Sequence, residues 1–222
     1  MSDGRRMRDV SGPHANQPLV TAGAPALAAD VALVACHGRG ATAQGIVNLL
    51  EPVYRHGLAV LAPQARRSNW IPRPPTAPRE ANEPALSSSV ECVGVALEAA
   101  RQIGIPPERT VLGGFSQGAC VVAEFLRRRP RRYGGTFLLS GHLPGSGDDD
   151  RSLEGSLAGT PVLVGYGADD ARIDHECVTE TARVLERADA DVDERRYAGV
   201  GHEVTDDEFD AIRGLIDDIA RR

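Results

Sequence analysis

The chain has 222 residues, of which 41% are apolar and 25% are charged, and its formal net charge at pH 7 is -6. This length and composition are typical of one folded domain and exclude a largely disordered chain, and the negative charge argues against a nucleic-acid partner. The apolar runs, such as Val31–Cys36, are far shorter than the roughly 20 residues that a bilayer span needs. We therefore expect no membrane-spanning segment.

The N-terminal stretch differs in character from the rest of the chain. Residues 1–16 are polar, carry several arginines and are followed by no apolar run, so we expect a flexible tail without a secretory signal, and a single domain over 17–222. The four cysteines lie far apart and form no CxxC pair or zinc-ligand spacing. We therefore expect the cysteines to be buried thiols, with no metal site, and the protein to be cytoplasmic.

Six short segments have the composition of β-strands. Five of them are apolar almost throughout, as strands buried on both faces are. In chain order, the six segments are VALVAC (31–36), LAVLA (58–62), TVLGGF (110–115), TFLLS (136–140), PVLVGYG (161–167) and VDERRY (192–197).

Between these strands the apolar residues follow a helical period, over 85–103, 117–129 and 174–188. A last helix begins after Thr205, which forms a capping-box pattern with Glu208. Strands that alternate with helices predict an α/β fold with a mostly parallel sheet covered on both faces. In such a sheet, ligands bind at the carboxyl ends of the strands.

Two charge runs stand out, the aspartates at 148–150 and the arginines around 127–132. We expect both runs to lie on solvated surface, because like charges in sequence repel one another and helix ends commonly carry arginine.

The strongest chemical signal is Gly114-Phe115-Ser116-Gln117-Gly118, a G-x-S-x-G pattern between a predicted strand and a predicted helix. A sharp turn at this point strains the backbone of the central residue and raises its side chain above the sheet, and the glycines allow the strand and helix to approach closely. Ser116 is therefore the candidate nucleophile.

A serine nucleophile needs a base, and the order along such a sheet is serine, acid, histidine. Of His142, His175 and His202, only His202 follows every strand that could supply the acid. We therefore predict His202 as the base.

The acid should follow the strand that ends at Gly167. Asp170 stands in a turn at the carboxyl end of this strand and is favoured, and the neighbouring Asp169 remains an alternative. Asp174 is better explained as the N-cap of the next helix.

An oxyanion needs two backbone donors. The amide of Gln117, directly after the nucleophile, is one candidate. The amide of Arg39 is the other, because it lies in the HGRG loop after the first predicted strand.

Together, the strand-HGRG, GFSQGA, GADD and GVGH motifs resemble the phospholipase/carboxylesterase family of alpha/beta-hydrolases, which includes acyl-protein thioesterases and small prokaryotic carboxylesterases. The resemblance covers nearly the whole chain from Val31 to Ala220. It implies an alpha/beta-hydrolase fold without a cap domain and assigns Ser116, Asp170 and His202 as the triad. The sequence departs from the family pattern at Tyr166, where a histidine is common, and at Ile173-Asp174, where Val-Pro is common.

The expected activity is hydrolysis of small-molecule carboxylic esters with short to medium acyl groups, through an acyl-enzyme and without a cofactor. The alternatives are a thioesterase acting on acyl-protein or acyl-CoA, a lysophospholipase with the same triad, and a non-catalytic binding protein. Trp70, in the proline-rich loop 63–84, is predicted to line the substrate groove. A homodimer is left open as the assembly.

Overall fold

A computed structural model describes residues 6–147 and 149–221. Its centre is a seven-stranded sheet of order β1-β3-β2-β4-β5-β6-β7, in which only β1 runs antiparallel to its neighbour. The strands are β1 Leu19–Gly23, β2 Val31–Cys36, β3 Leu58–Pro63, β4 Thr110–Phe115, β5 Gly135–Leu139, β6 Pro161–Gly167 and β7 Asp191–Tyr197. The α-helices are α1 Ala43–Leu49, α2 Ala85–Gln102, α3 Gln117–Arg128, α4 His175–Arg187 and α5 Asp206–Ala220.

Helices cover both faces of the sheet, because successive residues of a strand point to opposite faces and, in the central strands β2 to β6, both sets are buried and mostly apolar. Along β2, for example, Ala32 and Val34 pack in the cluster with α2, α3 and α4, whereas Leu33 packs with α1 and α5. The predicted α/β fold is confirmed. Within the described ranges, no helix is long and apolar enough to cross a membrane.

The six predicted strands are present with ends within one residue of the prediction, but β1 and α1 were not predicted. Strand β1 is a short edge strand whose residues beyond Leu19 are at least partly exposed, so it carries no apolar run. Helix α1 is seven residues long and is capped by Thr42, whose hydroxyl accepts a hydrogen bond from the Gly45 amide. Both elements are too short to show a clear hydrophobic period.

The prediction of a flexible tail is wrong for residues 6–16. Met7 and Val10 are 1% and 3% exposed and belong to the core cluster that contains α2. The Met7 amide donates to the Gln17 carbonyl at 2.9 Å, and Ser11 hydrogen-bonds to Glu91 of α2. Two apolar side chains are too few to produce a hydrophobic pattern in the sequence, yet they pack this segment against the core. Residues 1–5 lie outside the described part of the chain.

The prediction that the arginine run lies on solvated surface is wrong for Arg127 and Arg128, which pair with a buried carboxylate. Glu124 of α3 has a fully buried side chain, and Arg127 and Arg128 bind its carboxylate at 2.8 and 2.6 Å. Arg79, from the proline-rich loop, lies 3.6 Å from the same carboxylate. Of the aspartate run, Asp149 accepts hydrogen bonds from Ser146 and from the Arg79 amide, and Asp148 lies outside the described residues. These charges connect loops to α3, because a buried carboxylate requires cationic partners.

We expect Met7→Ala to lower the free energy of unfolding by about 2–5 kcal/mol, since it removes a fully buried side chain from the core. Arg8→Ala, at an exposed neighbouring position, is the matched control and should change it by less than about 0.5 kcal/mol. Urea unfolding measures both variants. Equal stabilities of Met7→Ala and Arg8→Ala would contradict the docking of this segment.

Candidate active site

Ser116 lies on a sharp turn between β4 and α3, with φ 57° and ψ -123°. This left-handed region is costly for a residue with a side chain. The turn is held by close packing at two glycines. A Cβ at Gly118 would lie 2.1 Å from the carbonyl oxygen of Cys36 at the end of β2, and a Cβ at Gly114 would lie 2.4 Å from the Gly118 backbone. Only glycine fits at either position.

Ser116, His202 and Asp170 form one hydrogen-bonded chain. The Ser116 Oγ lies 2.9 Å from His202 Nε2, and His202 Nδ1 lies 2.6 Å from Asp170 Oδ2. An ionised carboxylate only accepts hydrogen bonds, so Nδ1 carries the proton and Nε2 accepts from the serine hydroxyl. The three side chains come from the loops after β4, β6 and β7, which meet at the carboxyl edge of the sheet.

The surroundings of Asp170 and His202 hold both side chains in place. Asp170 is 2% exposed, and its second oxygen accepts a hydrogen bond from the Arg172 amide at 2.9 Å. The ring of Phe115 packs against the His202 imidazole, with 4.8 Å between centroids. The imidazole is therefore fixed from one side by a carboxylate and from another by an aromatic ring.

The alternative residues lie elsewhere in the structure. The Asp169 side chain is exposed, and its backbone amide donates to the Val200 carbonyl. Asp174 caps α4 by accepting hydrogen bonds from the amides of Glu176 and Cys177. His175 has Nε2 3.2 Å from the backbone carbonyl of Asp170. Within the described part of the chain, none of these three residues hydrogen-bonds to Ser116, in contrast to His202.

Arg39 and Gln117 line the same cleft as Ser116 and His202. Gln117 is the first residue of α3, where helix geometry leaves the amide without a partner in the helix. The Arg39 amide has no acceptor among the residues that the structure describes. Both amides are therefore available as donors beside the serine.

The cleft has a volume of about 450 Å³. Its exposed rim includes Arg39, Pro74 and Arg172, and its buried floor includes Ser140 and His142. The remaining lining residues are Gly38, Ala41, Pro75, Thr76, Phe115, Ser116, Gln117, Cys120, Gly141, Ile173, Asp174 and His202. In the part of the chain with described coordinates, no group of three or more His, Cys, Asp or Glu side chains is arranged to hold a metal ion.

Trp70 does not line this cleft, so its predicted role as a groove wall is wrong. It is 0% exposed, and its ring packs between the imidazoles of His14 and His37, at 5.5 and 5.0 Å. Its indole Nε1 donates to the His37 carbonyl at 2.8 Å. The position of its loop was predictable, but an indole with a polar N–H turns inward when a buried acceptor is available.

The Gln117 side chain has a role that sequence reasoning missed. Its Oε1 accepts from the Trp70 amide at 2.8 Å, and its Nε2 donates to the Ile71 carbonyl at 2.9 Å and to Asn69 at 3.1 Å. The first residue of α3 therefore anchors the proline-rich loop. The glutamine that directly follows Ser116 is the only sequence signal for this role.

Two buried histidines complete the support of the loops. His37 Nδ1 donates to the Gly38 carbonyl at 2.8 Å, so its Nε2 accepts from the Ala65 amide at 3.1 Å. His14 Nε2 donates to the Trp70 carbonyl at 2.9 Å. Burial lowers the pKa of both imidazoles below the ordinary value. Both rings are therefore neutral parts of the scaffold.

We expect the free energy of unfolding to fall as the pH is lowered from about 7.5 to about 5.5. Burial lowers the pKa of His14, His37 and His142 from the ordinary value of 6.5. As the pH falls below this ordinary pKa, the unfolded chain binds protons that the folded protein does not. The stabilisation from the neutral histidines is therefore fully present above this pH and is lost as the pH falls. Urea unfolding at three pH values measures the slope, which His14→Gln should make shallower. A stability that is flat or rises over this interval would contradict the prediction.

Comparisons with known proteins show the family and the fold of this chain. Residues 20–219 match the family model described as Phospholipase/Carboxylesterase. The solved structure of a phospholipase/carboxylesterase from Dyadobacter fermentans is 34% identical, with a TM-score of 0.85, over 90% of this chain and 96% of that one. A carboxylesterase structure from Bacillus cereus, at 22% identity and a TM-score of 0.71, shares the fold over 91% of this chain and 94% of that one.

Curated relatives match a shorter segment. Acyl-protein thioesterase 1 of Kluyveromyces lactis is 30% identical over 127 residues, which are 56% of this chain and 56% of that protein. A probable carboxylesterase, SOBER1-like, of Arabidopsis thaliana is 27% identical over 136 residues, 61% of this chain and 52% of that protein. The chain thus spans about half the length of these curated relatives. The match to the family model over residues 20–219, together with the shared fold, shows that the chain belongs to the phospholipase/carboxylesterase family of alpha/beta-hydrolases.

Proposed function

We propose that this protein is a serine hydrolase that cleaves carboxylic esters through an acyl-enzyme on Ser116. The observation that carries the proposal is the hydrogen-bonded chain from Ser116 through His202 to Asp170, with distances of 2.9 and 2.6 Å, at the wall of an open cleft. Membership of the family and relatives named as carboxylesterases support it. A protein that only bound a ligand would not need a serine aligned with an imidazole and a buried carboxylate.

In the proposed mechanism, Ser116 Oγ attacks the ester carbonyl carbon while His202 Nε2 takes the hydroxyl proton. The oxygen that becomes negative accepts hydrogen bonds from the Arg39 and Gln117 amides, the type of contact whose loss typically costs about 10²–10³ in turnover. His202 then gives its proton to the leaving alcohol oxygen. Asp170 holds the imidazole in the required tautomer and stabilises the imidazolium.

Deacylation repeats this sequence with water. His202 Nε2 takes a proton from the water as its oxygen attacks the acyl carbon, and returns the proton to Ser116 Oγ when the acid leaves. Each step uses only the serine, the imidazole, the carboxylate and the two amides, so the proposal includes no cofactor.

The proposed substrates are small esters with short to medium acyl groups. The apolar side chains around the cleft are few, with Phe115 and Ile173 the largest. The described residues contain no α-helix or strand, beyond the sheet and its five covering helices, that could form a cap over the serine. Each further methylene contributes about 0.8 kcal/mol only while it is buried, so binding should stop improving once the chain leaves the cleft.

A thioesterase is the second candidate, because relatives of this chain are named acyl-protein thioesterase 1. The same triad attacks a thioester carbonyl. Turnover of matched oxygen and sulfur esters with the same acyl group distinguishes the two activities, and the main proposal requires efficient cleavage of the oxygen ester.

The proposed location is the cytoplasm. All four cysteines are free, and Cys36, Cys92 and Cys120 are buried thiols. Unpaired cysteines are typical of reducing compartments.

We expect Ser116→Ala to fold normally and to lose nearly all ester hydrolysis, by on the order of 10⁶ as in a known triad. The measurement is turnover of a short p-nitrophenyl ester, with circular dichroism as the control for folding. A fluorophosphonate probe should label the wild-type protein but not the variant. Retained activity in a folded Ser116→Ala protein would overturn the proposed mechanism.

The neighbouring aspartates provide a matched pair of variants. Asp170→Asn should lower turnover by roughly 10⁴, because an amide at this position no longer favours the imidazole tautomer with the proton on Nδ1. Asp169→Asn alters an exposed side chain and should leave turnover within a few-fold of the wild type. The reverse result would move the acid to Asp169 and contradict the geometry at His202.

A further inference from the structure

The floor of the catalytic cleft is formed by Ser140 and His142, which follow β5 and are 1% and 3% exposed. We call these two residues the cleft floor. They are adjacent to the nucleophile, since the Ser116 amide donates to the carbonyl of Leu139, the residue before Ser140. Neither residue has a step in the mechanism described above. Their polar atoms therefore require a separate explanation.

The Ser140 hydroxyl has no hydrogen-bond partner although it is buried. A buried hydroxyl without a partner typically costs about 1–3 kcal/mol, and such groups are rare in native proteins. The Ser140 backbone also has φ 48°, in the left-handed region. The protein thus keeps a costly polar group beside its nucleophile.

His142 supplies a second unused polar atom. Its Nδ1 lies 2.9 Å from the Leu143 carbonyl, which can only accept, so Nδ1 carries the proton and Nε2 is an acceptor. Nε2 has no partner among the residues with described coordinates. Burial lowers the pKa of His142, which keeps the imidazole neutral and its Nε2 lone pair free. The floor therefore combines an acceptor with a hydroxyl that donates or accepts.

The other groups around the floor do not satisfy these atoms. Phe115 and Ile173 contribute apolar surface. Asp174 also lines the cleft, but its Oδ1 accepts two amide hydrogen bonds at the start of α4. Arg39 and Arg172 are at the exposed rim. The partner that remains is therefore a group that enters the cleft from outside the chain, such as water or a polar group of the substrate.

We propose that the cleft floor is a hydrogen-bonding subsite for a hydroxyl group of the substrate, so that the preferred esters carry a hydroxyl near the ester bond. The substrate hydroxyl donates to His142 Nε2, and the Ser140 hydroxyl hydrogen-bonds to the same oxygen after rotation about its Cα–Cβ bond. An O–H group suits this floor because it donates and accepts at once. An ester without a hydroxyl leaves both atoms unpartnered. This inference rests on the proposed ester hydrolysis at Ser116.

The test compares kcat/KM within two pairs of esters of equal length. In the acyl pair, p-nitrophenyl 3-hydroxybutyrate is compared with p-nitrophenyl 3-methylbutyrate, in which a methyl group replaces the hydroxyl. In the alcohol pair, 2-hydroxyethyl butyrate is compared with propyl butyrate. We expect the wild-type protein to favour the hydroxylated ester about five- to tenfold in one pair, as one or two hydrogen bonds would produce. The pair that shows the preference tells which side of the ester carries the hydroxyl.

Variants then assign the preference to the cleft floor. Ser140→Ala and His142→Leu should reduce the ratio of hydroxylated to plain ester towards one, and His142→Gln, whose amide keeps an acceptor, should restore part of it. Thr136→Val is the matched control. Thr136 lies on β5, the strand that leads to the cleft floor. Its hydroxyl is also buried and unpartnered, but Thr136 is not among the cleft residues. This control should leave the ratio unchanged.

Stability provides a second readout. Ser140→Ala and Thr136→Val should both raise the midpoint of thermal unfolding, because each removes a buried hydroxyl without a partner. Only Ser140→Ala should also alter the ester ratio. Ser140→Ala removes only one hydroxyl group and should fold, so it tests the proposal even if His142→Leu fails to fold.

The proposal is overturned if the wild-type protein shows no preference in either pair, if Ser140→Ala leaves the ratio unchanged, or if Thr136→Val lowers it equally. Fluorophosphonate labelling of Ser116 and cleavage of the plain esters are measured in the same samples. If these are present without a hydroxyl preference, the subsite fails and the proposed function stands. If both are absent from the wild-type protein, the proposed function itself fails.

Discussion

The close approach of β4, α3 and the end of β2 is the constraint on which the rest of the site depends. Gly118 lies against the Cys36 carbonyl so closely that a Cβ would be 2.1 Å away. This contact brings the loop after β2 beside the start of α3, and with it the amides of Arg39 and Gln117. It also holds Ser116 at φ 57°. Backbone strain of this kind persists only where the surrounding packing determines the conformation.

A buried polar network extends this constraint to the loops. Gln117 anchors the proline-rich loop, the Trp70 indole donates to the His37 carbonyl, and His14 ties the N-terminal segment to the same tryptophan. Each of these groups is buried and would be costly without its partner. Residues distant in sequence therefore fix the position of the loop that carries Arg39. The loops at the carboxyl edge of the sheet are held in place by these buried hydrogen bonds.

The cleft floor differs from the buried network beneath the loops. Beneath the loops, the buried histidines have partners on both ring nitrogens, as His37 does with Gly38 and Ala65. At the floor, the Ser140 hydroxyl has none. Ser140 thus differs from the buried histidines of the scaffold. The proposed subsite gives its hydroxyl a partner, whereas the Thr136 hydroxyl, which is also unpartnered, lies outside the cleft.

The sequence alone determined the α/β fold, the six predicted strands and the positions of Ser116 and His202, and it favoured Asp170 over Asp169, because strand burial, helix period and a tight G-x-S-x-G turn are local properties. Tertiary structure decided what depends on partners from distant segments. It buried Trp70 instead of placing it in the groove, docked residues 6–16 through Met7 and Val10, and brought Arg79 to 3.6 Å from the buried Glu124 carboxylate. Local patterns report which surfaces are apolar, whereas the direction of an indole or a guanidinium follows from the acceptor that folding brings within reach.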